Sequence, residues 1–173
     1  MKNINFLLII FFLLFNFHVK AEKTIAYVDL QLVMNKSEPG IFIKKKIDSL
    51  NIKSDKKFLA RAETLKKQEE DLLKKKNLIE KKDFEEEYIK LKSQVDNYNR
   101  EKNISAKNIR NKIVELNSKL LKEIEPILID YSESKNISFL LQKKNIILGA
   151  KEFDVTNDII LIVNKKINKN NFK

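Results

Sequence analysis

The chain has no cysteine and no tryptophan, one histidine, two glycines and two prolines in 173 residues. Without cysteine there is no disulfide, thiol nucleophile, iron–sulfur ligation or lipid attached through sulfur. So few glycines and prolines argue against sandwiches, barrels and glycine-rich phosphate loops, which need turn residues. What the chain has instead is charge: 35 Lys plus Arg and 24 Asp plus Glu, or 34% of all residues. Long polar stretches with spaced apolar residues point to extended helix.

The first residues change that count. Lys2 opens the chain, Ile4 to Phe15 is apolar except for Asn5, and Val19-Lys20-Ala21 offers a small residue at a cleavage point. That is the layout of a signal peptide over residues 1–21. The alternative is a retained anchor, but the run is well short of the ~20 residues that span a bilayer. Cleavage after Ala21 leaves 33 basic against 24 acidic side chains, a net charge of +9 instead of +11. It also removes His18, the only histidine.

A mature chain without His or Cys has no ordinary metal cluster beyond an all-carboxylate one, and no Ser-His-Asp or Cys-His machinery. No carboxylate pair stands apart from the many solvated charges, and no G-x-x-x-x-G-K-[ST] motif is present. The expectation is a protein that is not an enzyme and needs no cofactor and no metal.

Thr24 to Leu30 reads as a short strand. Ser37-Glu38-Pro39-Gly40 is a helix start, with Ser as cap and Pro in the first turn. From Ile41 to about Ile79 nothing interrupts the helical pattern. Phe58, Leu65, Leu72 and Ile79 recur every seven residues, but Ala62, Glu69 and Lys76 fill the alternate seam positions. This is a weakly sealed coiled-coil pattern. A reversal falls at 77–82, and Asp83 with Glu86 reads as the cap of a second helix. That helix opens with Phe84, Tyr88, Leu91, Val95 and Tyr98, regains apolar spacing from Ile109 to Ile124, carries Pro126, and ends near Ser134. A turn centred near residue 81 pairs Leu72 with Leu91, Leu65 with Tyr98, Phe58 with Ile104 and Ile47 with Leu116. Two apolar seams that meet at one register argue for an αα-hairpin.

Beyond it, Ile137–Leu141 and Asn145–Ala150, split by Lys143-Lys144, read as a β-hairpin. Asp154 or Thr156 caps a last helix to about Ile167. Strand 25–28 needs a sheet, and these late strands are its only candidates. The expected fold is mainly α with a small β body. A long antiparallel helical hairpin projects from a sheet built by both chain ends. Residues 22–36 form the first part of the body, 37–125 the arm with its tip near 77–83, and 126–173 the second part. Ile25, Tyr27, Val28, Ile137, Phe139, Ile146 and Ile147 are expected in the body or oligomer core, and Phe153 packs with Tyr27. So small a body needs oligomerisation to bury enough apolar surface.

The strand TIAYVDLQLVMNKSEPG, two long charged helices, a late proline, and the end ISFLLQKKNIILGAKEFDVTNDIILIVNKK together resemble the Skp (OmpH-like) family of periplasmic chaperones. The IAYVD strand and the segment 146–156 are the most specific parts. The resemblance implies a homotrimer whose three helical arms enclose a cavity. Unfolded outer-membrane proteins are held there without ATP, in the periplasm, until they reach the assembly machinery. The chain departs from the family in composition, with 32 Lys and only Arg61, Arg100 and Arg110, so no arginine-dependent anion site is carried over.

On that architecture, Phe58, Leu65, Tyr88, Tyr98 and Ile104 are candidates for binding clients. The competing role for each is holding the two helices together. Gaps in the seam at Glu69, Lys76, Lys102 and Ser105 keep the arm from zipping into a rigid rod. Lys74, Lys75, Lys76, Lys81 and Lys82, offset by Glu80 and the acidic turn 83–87, make a dipolar tip whose basic part is able to meet anionic lipid head groups, or else a solvated charge run. A bias alone explains much of the charge, since Lys, Ile and Asn make up 74 of 173 residues. Two other functions compete: a structural coiled-coil spacer of the envelope, and nucleic-acid binding suggested by the basic charge. The export signal and the shortage of arginine count against nucleic acid, and no nucleic-acid partner is expected.

Overall fold

A computed structural model describes residues 24–173; the expected signal segment 1–21 lies outside them. Strand β1 (Thr24–Val28) leads through Asp29 into helix α1 (Leu30–Lys36). Asp29 accepts from the Leu32 N–H at 2.9 Å, satisfying one of the free donors of the first turn. Ser37 ends α1 and starts α2 (Glu38–Lys75). Its N–H donates to the Val33 carbonyl at 3.0 Å, and its hydroxyl accepts from Gly40 N–H at 3.4 Å. Gly40 is required by close approach: a Cβ there would lie 1.6 Å from the Met34 carbonyl oxygen. The helix start expected at Ser37-Glu38-Pro39-Gly40 is therefore present, with the two helices packed tightly at the corner.

Helix α2 has 38 residues, or about 57 Å at the α-helical rise. The Leu78 and Ile79 N–H groups donate back to the Lys75 carbonyl at 2.7 and 3.2 Å, closing the tip. Helix α3 (Lys81–Ser134) then returns over 54 residues, about 81 Å. It starts earlier than expected. Glu80 is the cap residue, without a side-chain cap bond, and Asp83 sits within the first turn. There its charge still suits the positive end of the helix.

Pro126 does not stop α3. It lies on an exposed side, while Ile124 and Ile127 are buried and hold the turn in place. The loss is one hydrogen bond to a solvated carbonyl. Asn136, at φ 53°, takes the left-handed conformation that asparagine tolerates and turns the chain into β2 (Ile137–Gln142).

Strands β1 and β2 pair in parallel, Ile25 opposite Phe139 and Val28 opposite Gln142. A parallel pair needs a crossover connection, and here the whole helical hairpin is that crossover. The two chain ends do build one sheet, but it has two strands. The expected β-hairpin is not formed. Residues 143–145 make a 3₁₀ turn, and 146–150 carry no strand. Instead of pairing with β2, that segment covers Tyr27. The Tyr27 hydroxyl donates to the Ala150 carbonyl at 3.2 Å, and Val155 N–H donates to the Tyr27 carbonyl at 3.0 Å.

Helix α4 (Thr156–Lys166) follows. Val155 occupies its cap position, but Asp154 accepts from Thr156 N–H at 3.1 Å and from the Thr156 hydroxyl, so the expected pair does act at this end. Asp29 N–H donates to the same Thr156 oxygen at 2.9 Å, tying β1 to α4. The last residues form a 3₁₀ turn, Lys169–Phe172, whose Phe172 ring is fully buried.

The core lies at the root of the arm rather than around the sheet. Ile43 and Ile47 of α2, Leu120 and Ile124 of α3, Ile159 and Val163 of α4, and Phe172 form it. Of the residues expected in the body core, Tyr27 and Val28 are buried, and Ile137 and Ile146 are half-buried. Ile25, Phe139 and Ile147 are exposed in the single chain, as is Phe153. With two strands and no third, Ile25, Phe139 and Phe153 are covered only in part by their own chain, and Ile147 not at all.

Candidate functional site

The arm is held in register by polar pairs. Lys75 meets Glu87 at 3.1 Å, and Arg61 meets Glu101 at 2.7 Å. Fourteen residues along one helix match fourteen back along the other, so no slip occurs between them. Between them lies the apolar seam, with Leu72 buried and Leu65 and Leu91 half-buried, and just rootward of Arg61 the seam continues with buried Phe58. The expected register is the one observed. Nearer the root the Ser54 and Ser105 hydroxyls are 2.9 Å apart, so one position thought to be a gap is a hydrogen bond. The Arg61 guanidinium, hydrogen-bonded to Glu101, holds that carboxyl below its usual range.

Sequence reasoning named Phe58, Leu65, Tyr88, Tyr98 and Ile104 as one group. The structure divides them. Leu65, Tyr88 and Tyr98 line a groove of about 410 Å³ with Leu91 and Val95. Tyr88, 53% exposed, offers much of its ring to solvent. Phe58 and Ile104 line a second groove of about 820 Å³ nearer the root. The two grooves lie on opposite sides of the arm. Lys57 lines one and Lys66 the other, nine residues apart, which at 3.6 residues per turn is half a turn out of phase.

Phe58 is 5% exposed and serves mainly to join the helices. Ile104, 51% exposed, is open. The members of the second groove that sequence reasoning missed are Leu50 and Ile109, with Lys53 and Lys112 at the rim. Their signal was present in the helical spacing of Leu50 and Ile109 on facing arms, but the lysines there are not distinguishable by pattern from the others.

At the tip, Lys74 pairs with Asp71 at 3.2 Å, Lys75 with Glu87, and Lys81 with Glu85 at 3.9 Å. Lys76 and Lys82 complete the cluster. The tip field therefore alternates in sign, in keeping with the dipolar tip expected. Among the described residues no group of three His, Cys, Asp or Glu is placed to hold a metal ion. No described helix is long and apolar enough to cross a membrane.

On the body, Ile25, Tyr27, Leu141, Ile146, Leu148 and Phe153 line a third, apolar groove of about 670 Å³ beside β1. Ile147 is fully solvated. Lys143 bonds Asp154 at 3.0 Å beside this groove.

A two-helix arm inserted as the crossover of a small parallel sheet, with apolar grooves along the arm and an uncovered apolar face on the body, defines the class of fold. Residues 24–162 match the model of the family described as outer membrane protein (OmpH-like), and the chain belongs to that family. In fold it is similar to a crystal structure from Caulobacter crescentus CB15 described as that of an OmpH-like outer membrane chaperone. The TM-score is 0.79 at 14% identity, over 84% of this chain and 86% of the other. No curated protein matches the sequence.

Proposed function

We propose that the protein is an ATP-independent holdase chaperone for unfolded outer-membrane proteins. It works in the periplasm after loss of residues 1–21, without cofactor and without catalysis. Three copies join through the body face bearing Ile25, Phe139, Ile147 and Leu148, and the arms enclose the client. One observation carries the reading: an apolar groove along a helix pair, with half-buried Leu65, Leu91 and Tyr98 in its lining and Tyr88 and Val95 exposed. A purely structural spacer has no use for such a surface. A holdase needs many weak apolar contacts that release without fuel.

Family membership and the named relative's description support the same reading. Covering the fully exposed Ile147 and Leu148 in a trimer contributes about 1.5–3 kcal/mol each, and the half-exposed Ile25 and Phe139 correspondingly less. The test is aggregation of a urea-unfolded outer-membrane β-barrel protein on dilution, with and without residues 22–173. Suppression is expected, and it weakens in Tyr88→Ser/Val95→Ser. Light scattering at micromolar concentration gives a trimer. A monomer, or equal aggregation with and without the protein, overturns the reading.

A further inference from the structure

The second arm groove differs in chemistry from the first. Its floor is aliphatic, with Leu50, Ile104 and Ile109, and its rim carries Lys46, Lys53, Lys57 and Lys112. The one carboxylate in the lining, Glu101, is held at 2.7 Å by Arg61 and at 3.6 Å by Lys57. Lys112 pairs with Glu115, its neighbour one turn along α3, at 2.6 Å. The rim is left with an excess of positive charge above an apolar floor.

Beside the root end of this groove the arm already binds polypeptide. Lys46 donates to the Phe172 carbonyl at 3.0 Å, and Lys119 donates to the Asn171 carbonyl at 2.7 Å and lies 5.5 Å above the Phe172 ring. The chain's own tail is thus received by an apolar pocket with lysines on its main-chain carbonyls. Lys46 belongs to both places, so the groove continues from where the tail stops.

We infer that the groove lined by Leu50, Ile104, Lys53, Lys57 and Lys112 binds an extended acidic segment of a client polypeptide, apolar side chains down and carboxylates toward the lysine rim. This rests on the chaperone reading and adds a charge preference to one face of the arm. From Lys46 to Phe58 the groove runs about 18 Å along α2. That length takes about six residues of extended chain. The occupant is chosen by charge complementarity: an acidic segment meets the lysines, and a basic one meets repulsion.

The experiment uses residues 22–173 and two rhodamine-labelled unstructured peptides. They share the same Leu and Phe residues, with Glu at the intervening positions in one and Lys in the other. At low salt the Glu peptide binds more tightly. Lys53→Glu/Lys57→Glu weakens it about tenfold, as expected for two exposed attractions turned to repulsions. Lys56→Glu/Lys107→Glu, the same charge change at the same height but outside the groove lining, leaves the preference in place. A benzophenone side chain at Ile104 cross-links the Glu peptide, and one at exposed Leu59 does not; this second measurement needs no charge reversal.

Equal binding of both peptides, equal loss in both lysine variants, or equal cross-linking at the two positions overturns the inference. Suppression of client aggregation is measured in parallel on the unaltered protein. If suppression persists while the peptides are not distinguished, only this inference falls. If suppression is absent, the chaperone reading falls with it.

Discussion

Phe58 and Tyr98 meet edge to face across the arm, with ring centroids 5.8 Å apart and planes at 75°. This is the preferred geometry for two aromatic rings and adds about 1 kcal/mol to their burial. Phe58 is covered on both sides while Tyr98 keeps part of its ring in a groove. The pair therefore links the seam that holds the arm to the surface proposed to meet clients.

Phe58→Ala removes a buried ring from a seam with few others. A loss of about 3 kcal/mol is expected, the low end for such truncations because a two-helix arm can collapse around the gap. Hydrogen exchange resolved along the chain should rise in the arm on both helices and stay unchanged in α4. Unchanged protection in the arm would contradict the seam role.

Gly40→Ala places a methyl group against the Met34 carbonyl, where the gap to a Cβ is 1.6 Å. Neither backbone can yield without moving α1 against α2. A loss of at least about 2 kcal/mol is expected, although alanine is the better helix former. Thermal unfolding of the variant measures it. A stabilised variant would show that the corner is not as tight as described.

Acid destabilises the body through Asp154. Burial works to raise the pKa of this carboxyl, but hydrogen bonds from Thr156 and Lys143 outweigh it and leave the value below the usual one. A depressed carboxylate contributes stability above its unfolded pKa and loses it as pH falls through the folded value. The decline therefore begins below about pH 4. Lys143 is shifted up, first by its hydrogen bond to Asp154, so its share is lost only as pH rises through its elevated pKa. In Asp154→Asn the Tm should depend less on pH below 4. An unchanged acid slope would assign that slope to other carboxylates.

Alkali acts on Tyr131. Burial and the 2.6 Å bond to Asp158 push its hydroxyl up to about 12 from 10.0. A raised pKa gives stability that is complete below the unfolded value and lost as pH rises through the folded one. Stability should fall between pH 10 and about 12, as phenol ionises in the unfolded chain first. Tyr131→Phe removes that part of the decline and costs about 1 kcal/mol at neutral pH. Denaturant unfolding at three pH values checks both.

The arm was legible because its signals are local and repeated. Ser37-Glu38-Pro39-Gly40 starts it, and seven-residue spacing from Phe58 to Leu72 sets its register against Leu91 and Tyr98. Segment 145–150 was not legible as what it is. Its apolar, β-branched run fits a strand, and only the position of Tyr27, over a hundred residues away, makes it a cover instead. The tail was missed for the same reason: Phe172 is a lone aromatic in a polar stretch, and its pocket belongs to α2 and α3. The client candidates share apolar character and a place on the arm, which is all that the spacing conveys. That they fall on two faces follows from the turn geometry at 76–80, which fixes how the helices meet.

The sheet has a consequence for how the chain reaches its fold. β1 is made first and its partner β2 only after more than a hundred further residues, so their contact closes a very long loop. Closing such a loop in a flexible chain is slow, and long-range pairing dominates the barrier. If α2 and α3 zip from the tip, they bring Glu38 beside Ile124 by local steps, and only the last turns of α3 and two short connections remain to be ordered. The arm is then a folding device before it is a binding one: it shortens the distance between chain ends, and the sheet forms last.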